Sequence, residues 1–425
     1  MPFNIKKDTM IGHSSRTIST CQVCNSSSLE SVLFLGYLPP VNTMPQVGSI
    51  PVEEPSYPLE MIRCAQCGLV QLGLEVASHV LFPESYPYLS GSTQILRANF
   101  HDLRIESEDL LKLDKDKLIV DIGSNDGTLL SNFCDGGFPV LGVEPSQAAD
   151  VAISRGIRTI KDYFGGSIPK QIIDVYGKAH LITAANVFAH IGDIHSVLDG
   201  IVELLDDEGV FVSESHYLLD LVSTLQYDTI YHEHLRYYSV GSLSYLLELH
   251  GLEVFHVKRI PTHGGSIRVY AARTGQRKIL SSVSETLEEE VRAGLSDGTC
   301  LRGFKSRVAS SKLALYSLIA SIKAEGAKIF GVGAPSRSST LIGYTGLDEN
   351  IIDAVVEIES SHKLNRYIPG TRIPVLDESL LFTVQPEYAL LLSWHIGDEL
   401  ARNLRNRGFK GKFIVPLPKP EILAL

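Results

Sequence analysis

The stretch Val120-Asp-Ile-Gly-Ser-Asn-Asp-Gly127 closes an apolar run over 117–120 and opens a helix-like segment. A strand that turns through glycines into a helix is the first unit of a parallel α/β sheet. Gly123 and Gly127 let the backbone reverse tightly and approach a ligand that a Cβ would hold off. The alternation continues with strands over 118–121, 140–143, at Thr159, over 181–184 and over 209–213, and with helices from Asp126, over 147–155 and over 194–205. Strand followed by helix, repeated, predicts a doubly wound, Rossmann-like sheet whose ligands lie beyond the carboxyl ends of its strands. An amphipathic helix over 95–113 leads in, and a strand pair over 253–258 and 266–272 follows. After a long helix over 300–325 the pattern restarts, with strands over 328–331, 353–356, 388–392 and 412–415 and helices from Ser336 and over 396–407. The expected class is therefore α/β: a small N-terminal domain over 1–91, a central Rossmann-like domain over 92–275 and a second, smaller Rossmann-like domain over 276–425.

Four of the six cysteines fall as Cys21-Gln-Val-Cys24 and Cys64-Ala-Gln-Cys67. Two-residue spacing lets each pair wrap one side of an ion, and four thiolates fill the tetrahedral shell of Zn2+. Such a metal has no open position, so its role is structural. Cys134 and Cys300 stand alone and read as small buried apolar residues. Between the knuckles the chain is proline-rich over 38–45 and 51–58, which predicts a loop-rich module that needs its metal because it buries little core. A formal net charge of -11 argues against a nucleic-acid partner, which would need a basic face. Residues 1–20 are mixed polar, and no apolar run reaches the about 18 residues of a membrane span. The expectation is a cytoplasmic chain with no membrane partner, as a monomer or homodimer.

The turn of the first sheet narrows the ligand. Asp121, Gly123, Asn125, Asp126 and Gly127 line it, and Glu144 closes the next strand, where an acid can accept ribose hydroxyls. NAD and S-adenosylmethionine both suit this geometry. A diphosphate needs small residues, whereas Asn125 and Asp126 bring acceptors and a negative charge, so the charge argument favours the sulfonium of S-adenosylmethionine. A loop with no cofactor is the alternative. Asp162 and Phe164 follow the third strand and can contact adenine or form a solvated turn. Asn186-Val-Phe-Ala-His190 puts Asn186 and His190 at the carboxyl edge; a satisfied core histidine is the competing reading.

Tyr231-His-Glu-His-Leu-Arg-Tyr-Tyr-Ser239 packs three phenols, two imidazoles, a carboxylate and a guanidinium together, with no Gly or Pro. So many proton-handling groups indicate a site, on a loop or short helix. His232 and His234 alternate, so at most one faces a substrate, and His232 reads as structural. A His-Glu-His metal site lacks a third ligand.

The paired knuckles, Asp121-Ile-Gly-Ser-Asn-Asp-Gly-Thr128, Asn186 to His190, Tyr231 to Ser239 and His263-Gly-Gly-Ser-Ile-Arg268, in this order, resemble the bacterial sugar C-methyltransferases over about residues 21–416. These use S-adenosylmethionine to branch nucleotide-linked 4-keto-6-deoxyhexoses, usually at C3. The resemblance implies a zinc-binding N-terminal domain, a methyltransferase domain and a C-terminal domain that helps enclose a nucleotide-linked ketosugar. Forming a carbon–carbon bond to a methyl sulfonium needs a carbanion equivalent, which a neighbouring ketone supplies by enolising. His234 is then the base, Glu233 orients it or another donor, and Tyr231 and His190 sit at the enolate oxygen or the sugar hydroxyls. Tyr86 and Tyr88 resemble the family's aromatic segment that approaches the sugar, with packing an equal explanation. His263, before two glycines, stands near a ligand or in a hairpin turn. The helix from Ser336 offers its N-terminus to phosphate, with Arg337 to pair with it. Here the chain departs from the pattern: Arg337-Ser-Ser339 stands where members often carry Lys and then Gly-Asn, which leaves the carrier, dTDP or GDP, open. Arg366 faces the nucleotide or lies in a surface turn. The competing functions are O- or N-methyl transfer to a sugar, a non-catalytic nucleotide-sugar-binding scaffold and an NAD-dependent sugar oxidoreductase.

Overall fold

The computed structural model describes residues 14–82 and 89–423. Its central sheet has seven strands, in the order Leu252–Ile260, Ser266–Arg273, Leu205–His216, Ala179–Ala185, Ile119–Ile122, Val140–Val143 and Thr159–Ile160. From Leu205–His216 to Thr159–Ile160 the strands run parallel, and the first two are antiparallel. Parallel strands covered on both faces should be apolar throughout, and all four residues of Ile119–Ile122 are buried. The chain builds outwards from that strand in one direction and then returns to its other side, so the carboxyl ends of Ile119–Ile122 and Ala179–Ala185 flank a crevice. Leu205–His216 runs further at both ends than the expected 209–213, which brings His216 to the carboxyl edge.

The C-terminal sheet also has seven strands, in the order Arg366–Tyr367, Pro374–Asp377, Ala354–Glu357, Ile329–Val332, Tyr388–Leu391, Lys412–Val415 and Glu421–Leu423. Its middle strands are parallel and both edges are closed by short antiparallel strands.

The N-terminal region is less loop-rich than its prolines suggested. Leu29–Leu38 and Tyr57–Cys64 form an antiparallel pair, and the prolines over 38–58 lie in the connector and at the strand start. Val32, Leu33, Leu35 and Leu38 are buried, so the strand is anchored by one apolar face. Val70–Leu72 joins the pair, and the fourth strand, Arg236–Tyr237, comes from the run after the central sheet's fifth parallel strand, opposite Gln71 and Val70. One contiguous apolar cluster includes Leu33 and Val70 of this sheet, Val120 and Ile182 of the central sheet and Ile329 and Val355 of the C-terminal sheet. The three sheets therefore share a core.

Candidate active site

At the crevice, Gly123 turns at φ +68° and a Cβ there would lie 2.5 Å from Val187 Cγ2, so a side chain has no room. Glu144 receives the Asn125 N–H at 2.9 Å and the Ser146 N–H at 2.8 Å. Thr183 Oγ1 donates to Asp121 Oδ1 at 2.6 Å. Burial, partly offset by that hydroxyl, pushes the Asp121 carboxyl up to about 7, and the Glu144 and Glu214 charges add to the rise. Glu214 has its own cation, Arg268 Nε at 2.6 Å. Asp121 and Glu144 thus form an acidic pair with no Lys or Arg hydrogen-bonded to either among the described residues, an acceptor set that fits a cationic nucleoside better than a diphosphate.

Asp126 serves this turn differently from the sequence reading. Its carboxylate accepts from Ser90 Oγ at 2.8 Å, Thr128 Oγ1 at 2.7 Å and the Gly91 N–H at 3.2 Å, and pairs with Arg155 at 3.1 Å. Burial alone would raise its pKa, but these hydrogen bonds and the Arg155 charge hold it below the usual range. Asp126 and Asn125, whose Oδ1 accepts the Ser90 N–H at 2.9 Å, tie residues 90–91 over the turn. Asn186 takes φ +58° and donates its N–H to the Glu214 carbonyl at 2.8 Å. Phe164 is a core residue, packed close to Gly200, and Asp162 is exposed and accepts the Tyr163 N–H. The Phe164 ring is spent on packing, and exposed Asp162 fits the solvated-turn alternative.

The four knuckle sulfurs all lie within 4.8 Å of one another, close to the about 3.8 Å sulfur spacing of tetrahedral zinc with Zn–S near 2.3 Å. Hydrogen bonding from Cys67 lowers Cys21 to about 5, while burial pushes Cys24 up to about 11 and the Cys21 contact, with burial, raises Cys67. One negative charge settles easily among these sulfurs, and the others need a cation to follow. The set fits zinc.

The run around His234 is clamped from three sides. From the N-terminal sheet the Leu72 N–H donates to the Leu235 carbonyl at 2.9 Å, and from the connector between its strands Asn42 Nδ2 donates to Glu233 Oε1 at 2.6 Å. From the C-terminal domain, Thr340 Oγ1 donates to the Ile230 carbonyl at 3.1 Å, and Arg337 grips the buried Asp228 with Nε at 2.8 Å and Nη2 at 2.9 Å. Arg236 holds the central domain's loop by the Ile191 and Gly192 carbonyls at 2.5 and 2.8 Å.

Within this clamp His234 Nδ1 lies 2.9 Å from the Thr229 carbonyl. A carbonyl only accepts, so Nδ1 carries the hydrogen and Nε2 keeps its lone pair. Burial, then the neighbouring His190, drives the His234 pKa well below 6.5, with the Thr229 bond opposing, so the ring is neutral near pH 7. Tyr231 stacks on it with ring centroids 4.0 Å apart. His190 and His216 stand at 5.0 and 5.1 Å, and His263 lies 5.3 Å beyond His216. His190 Nδ1 is buried without a hydrogen-bond partner among the described residues.

Several expectations change here. Thr229 orients His234, and of the two roles expected of Glu233, holding His234 or another donor, its carboxylate takes the second, on Asn42, which also meets Ser336 Oγ at 3.3 Å. Arg337 spends its fork on Asp228 and lies over Trp394 at 5.0 Å, so it holds two domains together instead of receiving phosphate. Arg366 donates to the Met44 carbonyl at 3.1 Å, latching the N-terminal connector. His232 is buried beside Tyr57, as its structural reading required. Tyr86 and Tyr88 lie outside the described residues. Sequence reasoning missed His216, His395 and Asp228. His216 was findable by the carboxyl-edge rule, had the strand been carried three residues past Ser213.

Three sequence families match in order: a zinc binding domain over 21–82, a methyltransferase domain over 96–257 and the C-methyltransferase C-terminal domain over 261–418. C-methyltransferase NovU of Streptomyces niveus is 33% identical over 415 residues, covering 96% of this chain and 98% of that one. Among solved structures, an S-adenosylmethionine-dependent methyltransferase from Clostridium acetobutylicum ATCC 824 is 16% identical with a TM-score of 0.35, over 44% of this chain and 94% of that one. The PH0226 protein from Pyrococcus horikoshii OT3 is 15% identical with a TM-score of 0.35, over 46% and 98%. By its end-to-end relation to NovU and the ordered matches along its length, the chain belongs to the C-methyltransferase family.

Proposed function

We propose that this C-methyltransferase methylates C3 of a nucleotide-linked 4-keto-6-deoxyhexose by base-catalysed enolisation, with S-adenosylmethionine in the crevice beside Asp121 and Glu144. The observation that carries the reading is His234: a neutral imidazole, its Nδ1 hydrogen fixed on Thr229, with phenol and imidazole neighbours. Bound S-adenosylmethionine supplies an electrophilic methyl group. His234 Nε2 removes the proton from the carbon next to the ketone. The electron pair moves into the enolate, whose oxygen Tyr231 and His190 can meet as donors. Burial keeps the imidazoles uncharged, so these donors act without repelling a sulfonium. The C-terminal domain encloses a dTDP- or GDP-linked carrier, and Arg337 acts by holding that domain on Asp228.

The test offers both carriers of the 4-keto-6-deoxyhexose with methyl-labelled S-adenosylmethionine and follows the product by mass and NMR. A new methyl group on a quaternary carbon is the expected product. A methoxy or N-methyl signal would replace this reading with O- or N-methyl transfer.

A further inference from the structure

Methyl transfer to carbon leaves one proton behind in every turnover. The C–H bond breaks, its pair enters the enolate and then forms the new C–CH3 bond, and the C–S bond breaks with its pair left on sulfur. The hydrogen remains on His234 Nε2. It cannot leave through the other side of the ring, because Nδ1–H is already directed at the Thr229 carbonyl, 2.9 Å away. The proton must pass to a group near Nε2.

His216 is placed for this. It ends the strand Leu205–His216 at the carboxyl edge, with its ring 5.1 Å from His234 and 5.3 Å from His263, centroid to centroid. At that spacing two ring nitrogens turned towards each other come within hydrogen-bond reach. His263 is half-buried, so the file leads from the enclosed base outwards. Its far end is held firmly. His263 has a φ of +58°, a left-handed backbone uncommon outside glycine, and its carbonyl accepts from Arg337 Nη1 at 3.3 Å. The following Gly264 and Gly265 are packed so closely that a Cβ would meet Gln226 at 2.6 Å and Asp220 at 2.4 Å. Burial comes first in lowering His216, followed by the nearby His234, His263, Arg337 and His190; His263 is lowered to about 4 by burial and Arg337. A proton entering this group is therefore passed on, not stored.

We propose that His216 relays the substrate-derived proton from His234 to His263 and so to solvent. His234 hands on from Nε2 the proton it took there, while His216 and His263 each accept a proton on the free nitrogen and release one from the other, so no charge accumulates. The proposal rests on the enolisation reading above.

The experiment incubates the 4-keto-6-deoxyhexose nucleotides in D2O with S-adenosylhomocysteine in place of the methyl donor. Deuterium wash-in at the carbon beside the ketone is compared with single-turnover methyl transfer. In His216→Asn and His216→Gln the proton stays on His234 and returns to its carbon, so the ratio of wash-in to methyl transfer should fall by about tenfold or more, and added imidazole should restore it. An unchanged ratio, or wash-in and transfer falling together in both variants with no response to imidazole, overturns the relay. Wild-type protein that neither exchanges nor methylates either sugar overturns the enolisation reading, and the relay with it.

Discussion

After Ile119–Ile122, Gly123 turns at φ +68° and donates its N–H to the Val143 carbonyl at 2.8 Å, and Asn125 donates its N–H to Glu144 at 2.9 Å. After Ile329–Val332, Gly333 turns at φ +82° and donates to the Val356 carbonyl at 2.9 Å, and Ala334 donates to Glu357 at 2.7 Å. The two turns share one backbone plan, with an acid from the neighbouring strand closing each. They differ in what supplies the positive charge. At the second, Lys363 reaches in to the Ala334 carbonyl at 2.7 Å; burial lowers its pKa while Glu357 and Glu233 support its charge. The helix Ser336–Thr345 then buries Arg337, Ser338, Ser339 and Thr340 against the central domain. At the first, Arg155 is taken up by Asp126 at 3.1 Å, and among the described residues the hydrogen bonds to Asp121 and Glu144 come from a hydroxyl and backbone N–H groups, not from a cation. A strand, a glycine turn and a helix make a ligand site only where the chain does not fill the mouth itself.

The comparison can be broken most sharply at Arg337. Arg337→Ala removes the cation from the buried Asp228 carboxylate and leaves it the Trp394 N–H at 2.7 Å, and chemical denaturation should show a loss of about 3 kcal/mol while S-adenosylmethionine affinity of the folded protein stays the same. Should affinity fall instead, the second turn would belong to the cofactor site. Next in size is Gly123→Ala, which sets a Cβ against Val187 and should weaken cofactor binding about 100-fold by calorimetry, the backbone being driven off its left-handed turn. Gly333→Ala, where the Cβ would stand 2.8 Å from Ser393 Oγ, should lower the melting temperature and leave that affinity alone. Glu144→Ala should cost about 10- to 100-fold in affinity, the range of a charge-assisted hydrogen bond, and Glu357→Ala almost nothing.

The smallest effect is with pH. Asp121 is raised to about 7 from 3.8, so it is largely neutral at pH 6 and ionised at pH 8. Preference for the sulfonium over neutral S-adenosylhomocysteine should therefore grow a few-fold across that interval. The same shift makes the ligand-free fold hold a proton that the unfolded chain releases. This group's stabilising contribution is full below 3.8 and is lost as pH rises through about 7. A flat affinity ratio would mean that Asp121 does not sense the ligand.

What could be read in advance divides by sequence distance. The turn at Gly123 and the acid at Glu144 obey short-range periodicity, so the strand, the left-handed glycine turn and the acid after the next strand could be placed from the sequence. Asn42 meets Glu233 across 191 positions and Arg337 meets Asp228 across 109; no local rule couples such residues, so Arg337 was assigned to a phosphate, and Asn42 and Asp228 were given no role. The packing of Phe164 was not legible because an aromatic after a strand fits a base or a helix equally well until Gly200 is seen beside it. Leu29–Leu38 was obscured by the prolines that follow it.

Arg236–Tyr237, the strand lent to the N-terminal sheet, also dictates an order of assembly. During synthesis, Val70–Leu72 lies between Tyr57–Cys64 and a strand that leaves the ribosome more than 160 residues later. Until then one edge of the sheet is open to stray pairing. The four cysteines are complete by residue 67, so metal capture can hold the early hairpin in register while it waits. The last strand to arrive then carries His234, two residues upstream, into place.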